Sequence, residues 1–182
     1  MEARILTWNV WWQFGPWRER QEAILAVLRE QNADVVFLQE TFGQEGGLDQ
    51  ADWLAEELNM YVARTDGPWY EGGVSLGNAI LSRWPVVQWQ VHLTGRREPA
   101  IPGLVFTDLW ETAGEGSGFT WRRDNPYIAD STWPNRRLDY LFVSWPRPRP
   151  IGNPTQVWLA GIDPVGGVQP SDHAAVVADI RM

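Results

Sequence analysis

The chain has 182 residues, 44% of them apolar and 21% charged, the ordinary balance of a soluble globular protein and enough to build one domain, residues 1–182, around a sizeable core. There is no cysteine, which excludes disulfides and thiolate metal sites; a metal here must be held by oxygen or histidine, and carboxylate and amide oxygens suit Mg²⁺, Mn²⁺ or Ca²⁺. The net charge of −8 argues against a broad basic nucleic-acid surface, although Arg122 with Arg123, Arg136 with Arg137 and Arg147 with Arg149 leave room for a local patch.

The chain opens directly on a strand pattern without a basic start and apolar stretch, and no apolar run approaches the ~20 residues that span a bilayer, so a cytoplasmic location is expected. Residues 3–10 alternate, with Ile5, Thr7 and Asn9 on one side and Leu6, Trp8 and Val10 on the other. The spacing of Ile24, Leu25, Val27 and Leu28 predicts a helix over 17–31, with arginine and glutamate between the apolar positions. Residues 35–40 read as a strand buried on both faces that finishes at Glu40, a carboxylate that is costly there without a cation. The first two strands thus each end in an oxygen ligand, Asn9 and Glu40.

A glycine-rich loop leads to a predicted helix over 49–59, then a short strand over 60–64 and a loop over 65–73 carrying Trp69 and Tyr70. Residues 78–93 read as two strands divided by Trp84-Pro85, and 104–110 as a helical turn or a strand. Residues 119–121 are a short strand candidate, and 122–135 a long loop. Residues 137–143 read as a strand holding Asp139, expensive there without a partner. Further strands are predicted over 155–162 and in the apolar run after Pro170-Ser171-Asp172-His173. Only one other histidine exists, His92.

Five segments stand in an informative order: Thr7-Trp8-Asn9, FLQE at 37–40, GNAILSRWP at 77–85, RRLDYLFV at 136–143 and SDHAAVVADI at 171–180. On these motifs the chain resembles the endonuclease/exonuclease/phosphatase superfamily, the Mg²⁺-dependent phosphodiesterases related to pancreatic deoxyribonuclease. The resemblance implies an α/β sandwich of two mainly antiparallel sheets with outer helices, its site where strand ends converge. It implies Mg²⁺ or Mn²⁺ bound by Asn9, Glu40 and Asp172, with Asp172 also near the nucleophilic water. It implies a catalytic His173 hydrogen-bonded by Asp139. The chemistry suits those residue types: hard cations take carboxylate and amide oxygens, and histidine titrates near neutral pH.

The chain departs from the family pattern between the third and fourth of these segments. Neither a Thr-His-Leu strand end nor a Gly-Asp-Phe-Asn motif is present; His92 in VHLT only echoes the first. A large internal piece is therefore read as absent, with the junction near residues 92–95, and the sandwich as lacking some interior strands. Each residue also has a plainer use. Asp172-His173 serves as a turn before a strand, Glu40 as a partner for a surface arginine, Asp139 as a partner for Arg136 or Arg137, and Asn9 and Asn78 as turn formers. Trp11, Trp12, Trp69 and Tyr70 form either a substrate wall or ordinary packing. Two functions stay open: a metal-dependent hydrolase of phosphoesters of unspecified type, or a non-catalytic sandwich domain that binds a phosphorylated ligand or a protein partner.

Overall fold

The computed structural model describes residues 1–47, 49–65, 69–87, 106–144 and 148–182. Its first unit is a strand–helix–strand crossover: β1 (Glu2–Asn9), α1 (Trp17–Gln31) and β2 (Val35–Gln44). β1 and β2 lie parallel, which requires a long connection, here supplied by α1. α2 (Gln50–Leu58) follows, capped by the Asp49 side chain, which accepts from the Ala51 and Asp52 amides. β3 (Tyr61–Arg64), β4 (Trp69–Tyr70) and β5 (Val74–Ser82) complete this half by antiparallel pairing, β5 along most of β2.

The second half contributes β6 (Phe106–Asp108), the short helix α3 (Leu109–Ala113), β7 (Phe142–Ser144), β8 (Pro154–Ala160) and β9 (Ala175–Arg181). β9 runs antiparallel to both β1 and β8. The main sheet therefore has seven strands in the order β3-β5-β2-β1-β9-β8, with β4 on β5. β6 and β7 form a separate two-stranded sheet. This is an α/β sandwich, and among the described residues its second sheet holds only those two strands.

Alternation along the central strands builds a core on each face. Leu6, Trp8, Val10, Leu38, Ala175 and Val177 pack with α1 and α2 on one side. Ile5, Phe37, Val176, Ala178, Val157 and Leu159 pack with Leu109, Trp110 and Leu141 on the other. No helix among the described residues is long and apolar enough to cross a membrane.

Several expectations change. β2 does not finish at Glu40 but continues to Gln44, with a register shift between Gln39 and Thr41 and a left-handed φ of 56° at Glu40. Trp69 and Tyr70 pair with β5 instead of lying in a loop. Of residues 104–110, read as either strand or helix, the described part, 106–110, supplies both, β6 running directly into α3. Of residues 137–143 only the last two are strand; the segment holding Asp139 is irregular because its backbone is tied to a side chain, the Leu138 and Asp139 amides donating to Thr120 Oγ1 at 3.1 and 3.3 Å. Residues 119–121 are no strand, only Trp121 making isolated bridges to Arg136 and His173. After Ser82 the chain leaves the sheet, and the second strand predicted within 78–93, His92 and the junction near 92–95 fall largely or wholly outside the described residues.

Gly161, just past β8, has φ +66°, and a Cβ there would lie 2.8 Å from the ring of the fully buried Trp8. Gly161→Ala is expected to destabilise the fold by more than about 1 kcal/mol, because it adds both a strained backbone and a clash. Urea titration checks this as a lower midpoint at unchanged slope.

Candidate active site

The ends of β1 and β2 and the approach to β9 meet at one edge of the sheet. Val10 and Trp12 follow β1 and donate their amides to the carbonyls of Gln39 and Glu40, at 2.9 and 2.8 Å. Ser171, fully buried, donates from Oγ to the Asn9 carbonyl at 2.7 Å and accepts the His173 amide at 3.2 Å. The Trp8 indole N–H donates to the His173 carbonyl at 2.9 Å. The Asp172-His173 turn is thus fastened to the β1 end by side chains on both sides of it.

Asn9 and Glu40 are in direct contact. Asn9 Nδ2 donates to Glu40 Oε1 at 2.9 Å, and Asn9 Oδ1 accepts the Trp11 amide at 2.8 Å. The backbone N–H can only donate, which fixes the orientation of the amide: its oxygen faces the loop and its nitrogen faces the carboxylate. Asn9 accordingly orients Glu40.

Asp139 reaches His173 from the opposite side. Its Oδ2 lies 2.7 Å from His173 Nδ1, and the two side chains are 10% and 12% exposed. Thr120 makes this meeting possible: its hydroxyl holds the Leu138 and Asp139 amides while its carbonyl accepts the Ala174 amide at 2.7 Å. Asn125 adds a hydrogen bond from Nδ2 to the Ser171 carbonyl at 2.8 Å.

The charges at this spot act on one another. Burial alone would lower the His173 pKa, but the hydrogen bond that His173 donates to Asp139 and the charges of Asp139, Asp172 and Glu40 outweigh it and raise it. Burial pushes the Asp172 carboxyl up to about 6, against the pull of His173; Glu40 adds to the rise, while Arg20 and the Ser171 hydroxyl oppose it. Glu40, Asp172 and His173 therefore lie within electrostatic reach of one another, with Asp139 behind the imidazole.

Among the described residues no three His, Asp or Glu side chains form a ready metal cage. The donor set still fits a hard divalent cation. Mg²⁺ is commonly held by one or two carboxylates, with water and substrate phosphate completing its sphere. Glu40 and Asp172 are two such carboxylates whose mutual repulsion a cation would relieve.

Aromatic side chains flank the acid side. Trp12, Phe14, Tyr70, Val74 and Leu76 line a cavity of about 430 Å³ that also reaches Glu40. Trp12 and Tyr70 are thus wall residues, with ring centroids 5.8 Å apart. Trp11 packs on Tyr127 at 4.6 Å. Asn78 lies opposite Gln39 in the sheet and is exposed. Of the arginines that left room for a local patch, Arg122 pairs with Asp124, and Arg137 with Asp108 and Glu111. Arg136 lies over the Trp133 ring at 3.9 Å.

Sequence reasoning missed Thr120 and Arg20 as parts of this site, and gave Ser171, within the Ser171-Asp172-His173 stretch, no role of its own. Arg20 had a legible signal, because it sits four residues before Ile24 and so on the apolar stripe of α1. Thr120 had none, since its role depends on bringing together segments far apart in the chain.

Residues 6–118 match the model of the Endonuclease/Exonuclease/phosphatase family. No curated protein matches the chain. The structure is similar to an endonuclease/exonuclease/phosphatase family protein from Leptotrichia buccalis, at 13% identity and TM-score 0.72 over 99% of this chain and 100% of that one. It is similar to one from Beutenbergia cavernae at 20% identity and TM-score 0.66, over 100% of this chain and 72% of that one. It is also similar to D. rerio TDP2 complexed with a single strand DNA product, at 16% identity and TM-score 0.67 over 100% and 99% of the two chains. At these identities the likenesses speak for the fold.

Since Asp139 holds the His173 pKa up, Asp139→Asn is expected to lower it. A proton NMR titration of the His173 ring in metal-free protein reads this directly; an unmoved midpoint would mean the contact carries no charge coupling.

Proposed function

Because the chain belongs to the endonuclease/exonuclease/phosphatase family, we propose that it is a hydrolase of phosphoesters dependent on Mg²⁺ or Mn²⁺. The observation that carries this reading is the 2.7 Å contact of Asp139 with His173 at a spot shared with Asp172 and Glu40. An imidazole backed by a buried carboxylate has its tautomer fixed, with Nδ1–H on Asp139 and Nε2 left for chemistry. Nε2 can then take the proton of an attacking water, and Asp139 stabilises the imidazolium that results.

Glu40 and Asp172 would hold the divalent ion, with Asn9 keeping Glu40 oriented. Bound there, the ion would supply Lewis-acid stabilisation of charge growing on the phosphoryl oxygens. Asp172, beside His173, would also orient the attacking water. The aromatic cavity next to Glu40 would take an apolar or ring-bearing part of the substrate. The single strand DNA product held by D. rerio TDP2 supports nucleic acid as one candidate substrate. The net charge of −8 and the paired arginines favour a short or small phosphoester over a long duplex.

Hydrolysis of bis(p-nitrophenyl) phosphate with Mn²⁺ or Mg²⁺ tests the proposal. Turnover is expected to vanish on EDTA treatment and to return with added metal. Glu40→Ala and His173→Ala are each expected to cost roughly 10²-fold or more in kcat. Activity that survives either substitution removes the assignment. Metal binding by calorimetry without turnover on any phosphoester would favour the non-catalytic binding domain instead.

A further inference from the structure

Arg20 is fully buried in the first turn of α1. Among the described residues its guanidinium has no carboxylate partner in hydrogen-bond range; it faces backbone carbonyls. One terminal nitrogen donates to Val10 at 2.8 Å and to Pro170 at 3.0 Å. The other reaches Trp11 at 2.9 Å, Trp12 at 2.8 Å and Phe14 at 3.0 Å. Five carbonyls share four N–H groups, so one of these bonds is bifurcated. The Trp11 ring covers the cation at 4.9 Å.

The acceptors come from two places. Val10 to Phe14 form the loop that leaves Asn9, and two of its amides hold the Gln39 and Glu40 carbonyls. Pro170 begins the turn that carries Asp172 and His173. One side chain therefore ties the Asn9–Glu40 side of the site to the His173 side. It does so where the backbone resists: Trp11 and Trp12 have φ of 60° and 35°, a left-handed region that indole side chains enter only when held. Burying a guanidinium for this purpose is costly, and burial pulls its pKa down to about 10, which leaves it charged at neutral pH.

We propose that Arg20 is a positioning residue for hydrolysis: it fixes the spacing between Glu40 and His173 by clamping the 10–14 loop to Pro170. The inference rests on the hydrolase reading given above. A lysine cannot substitute, because three donors on one nitrogen do not span five carbonyls around a planar fork.

The test uses the full chain with Arg20→Lys and Arg20→Ala, and Arg29→Ala as an exposed control. With bis(p-nitrophenyl) phosphate and Mn²⁺, Arg20→Lys is expected to lose roughly 10²-fold in kcat while KM moves little, the mark of misplaced groups rather than lost binding. Millimolar guanidinium is expected to restore part of kcat to Arg20→Ala and none to Arg20→Lys, whose side chain fills the site. Hydrogen exchange by mass spectrometry is expected to quicken at residues 10–15 and 170–173 and to stay unchanged at 35–38. A folded Arg20→Lys with the kcat of the unaltered chain overturns the proposal. So does exchange that quickens throughout, which reads as a general packing role; should Arg20→Ala not fold, Arg20→Lys decides alone. An unaltered chain without turnover overturns the hydrolase reading, and the positioning role with it, while local exchange still reports whether the clamp exists.

Discussion

A strand buried on both faces has one register that fills both cores, and β1 between β2 and β9 is such a strand. Leu6 and Trp8 belong to the core under the helices and Ile5 to the core on the other face. A slip of one residue against either neighbour would exchange the two sets. The register that satisfies both places Asn9 level with Gln39 on β2 and Thr7 level with Val176 on β9. Because β9 runs antiparallel, the residues just before it arrive beside the end of β1. Asp172 and His173 therefore come to Asn9 as a consequence of core packing, and the Ser171 hydroxyl on the Asn9 carbonyl secures what the register has already arranged.

Glu40 shows how a polar group is kept at the end of such a core. Simple alternation would put it on the same face as Leu38, which is fully buried under the helices. The bulge at Glu40, with φ 56°, breaks the alternation, turning the carboxylate to Asn9 while Phe42 resumes packing against Trp17. A non-glycine residue in that region costs on the order of 1–3 kcal/mol. The hydrogen bonds from the Trp12 amide to the Glu40 carbonyl and from Asn9 to its side chain help hold it there. Backbone strain at Trp11, Trp12 and Glu40 is thus concentrated in one small volume next to the candidate site, the usual place for strain that serves a purpose.

Much of this could be read from the chain beforehand. The period-2 pattern of β1, the apolar run of β9 and the apolar spacing in α1 each follow from one local signal, and they stand where expected. The pairing of Asp139 with His173 was expected only through the resemblance to the family; the residues alone asked for a partner for Asp139 and left Arg136 or Arg137 open. What was not legible depends on distant contacts. The irregular path of residues 137–141 is set by the hydroxyl of Thr120, some twenty residues earlier, and overrides a sequence that reads as strand. The extension of β2 past Glu40 depends on β5 offering Gly77 to Ser75 as partners for Thr41 to Gly43. Arginine in a helix ordinarily signals a wet face. At Arg20 that habit fails, because five carbonyls of one loop and one turn converge where a guanidinium can meet them.

The absent motifs set the scale of what the remaining residues would have to do. The sequence has no Gly-Asp-Phe-Asn segment and no Thr-His-Leu strand end, the groups that in the family face the phosphate from the other wall. Removing one preorganised donor from around a developing charge costs roughly 10²–10³ in rate. A positioned acid–base group, the role proposed for His173, typically contributes roughly 10²–10⁴. The two halves are therefore of comparable weight, and a site reduced to one of them keeps proton transfer and loses much of its grip on the phosphoryl oxygens. In the proposed reading that grip passes to the ion at Glu40 and Asp172, whose effect depends on their distance from His173. A site built from fewer groups is more sensitive to the placement of each, and this is where a rigid clamp between its two sides matters most.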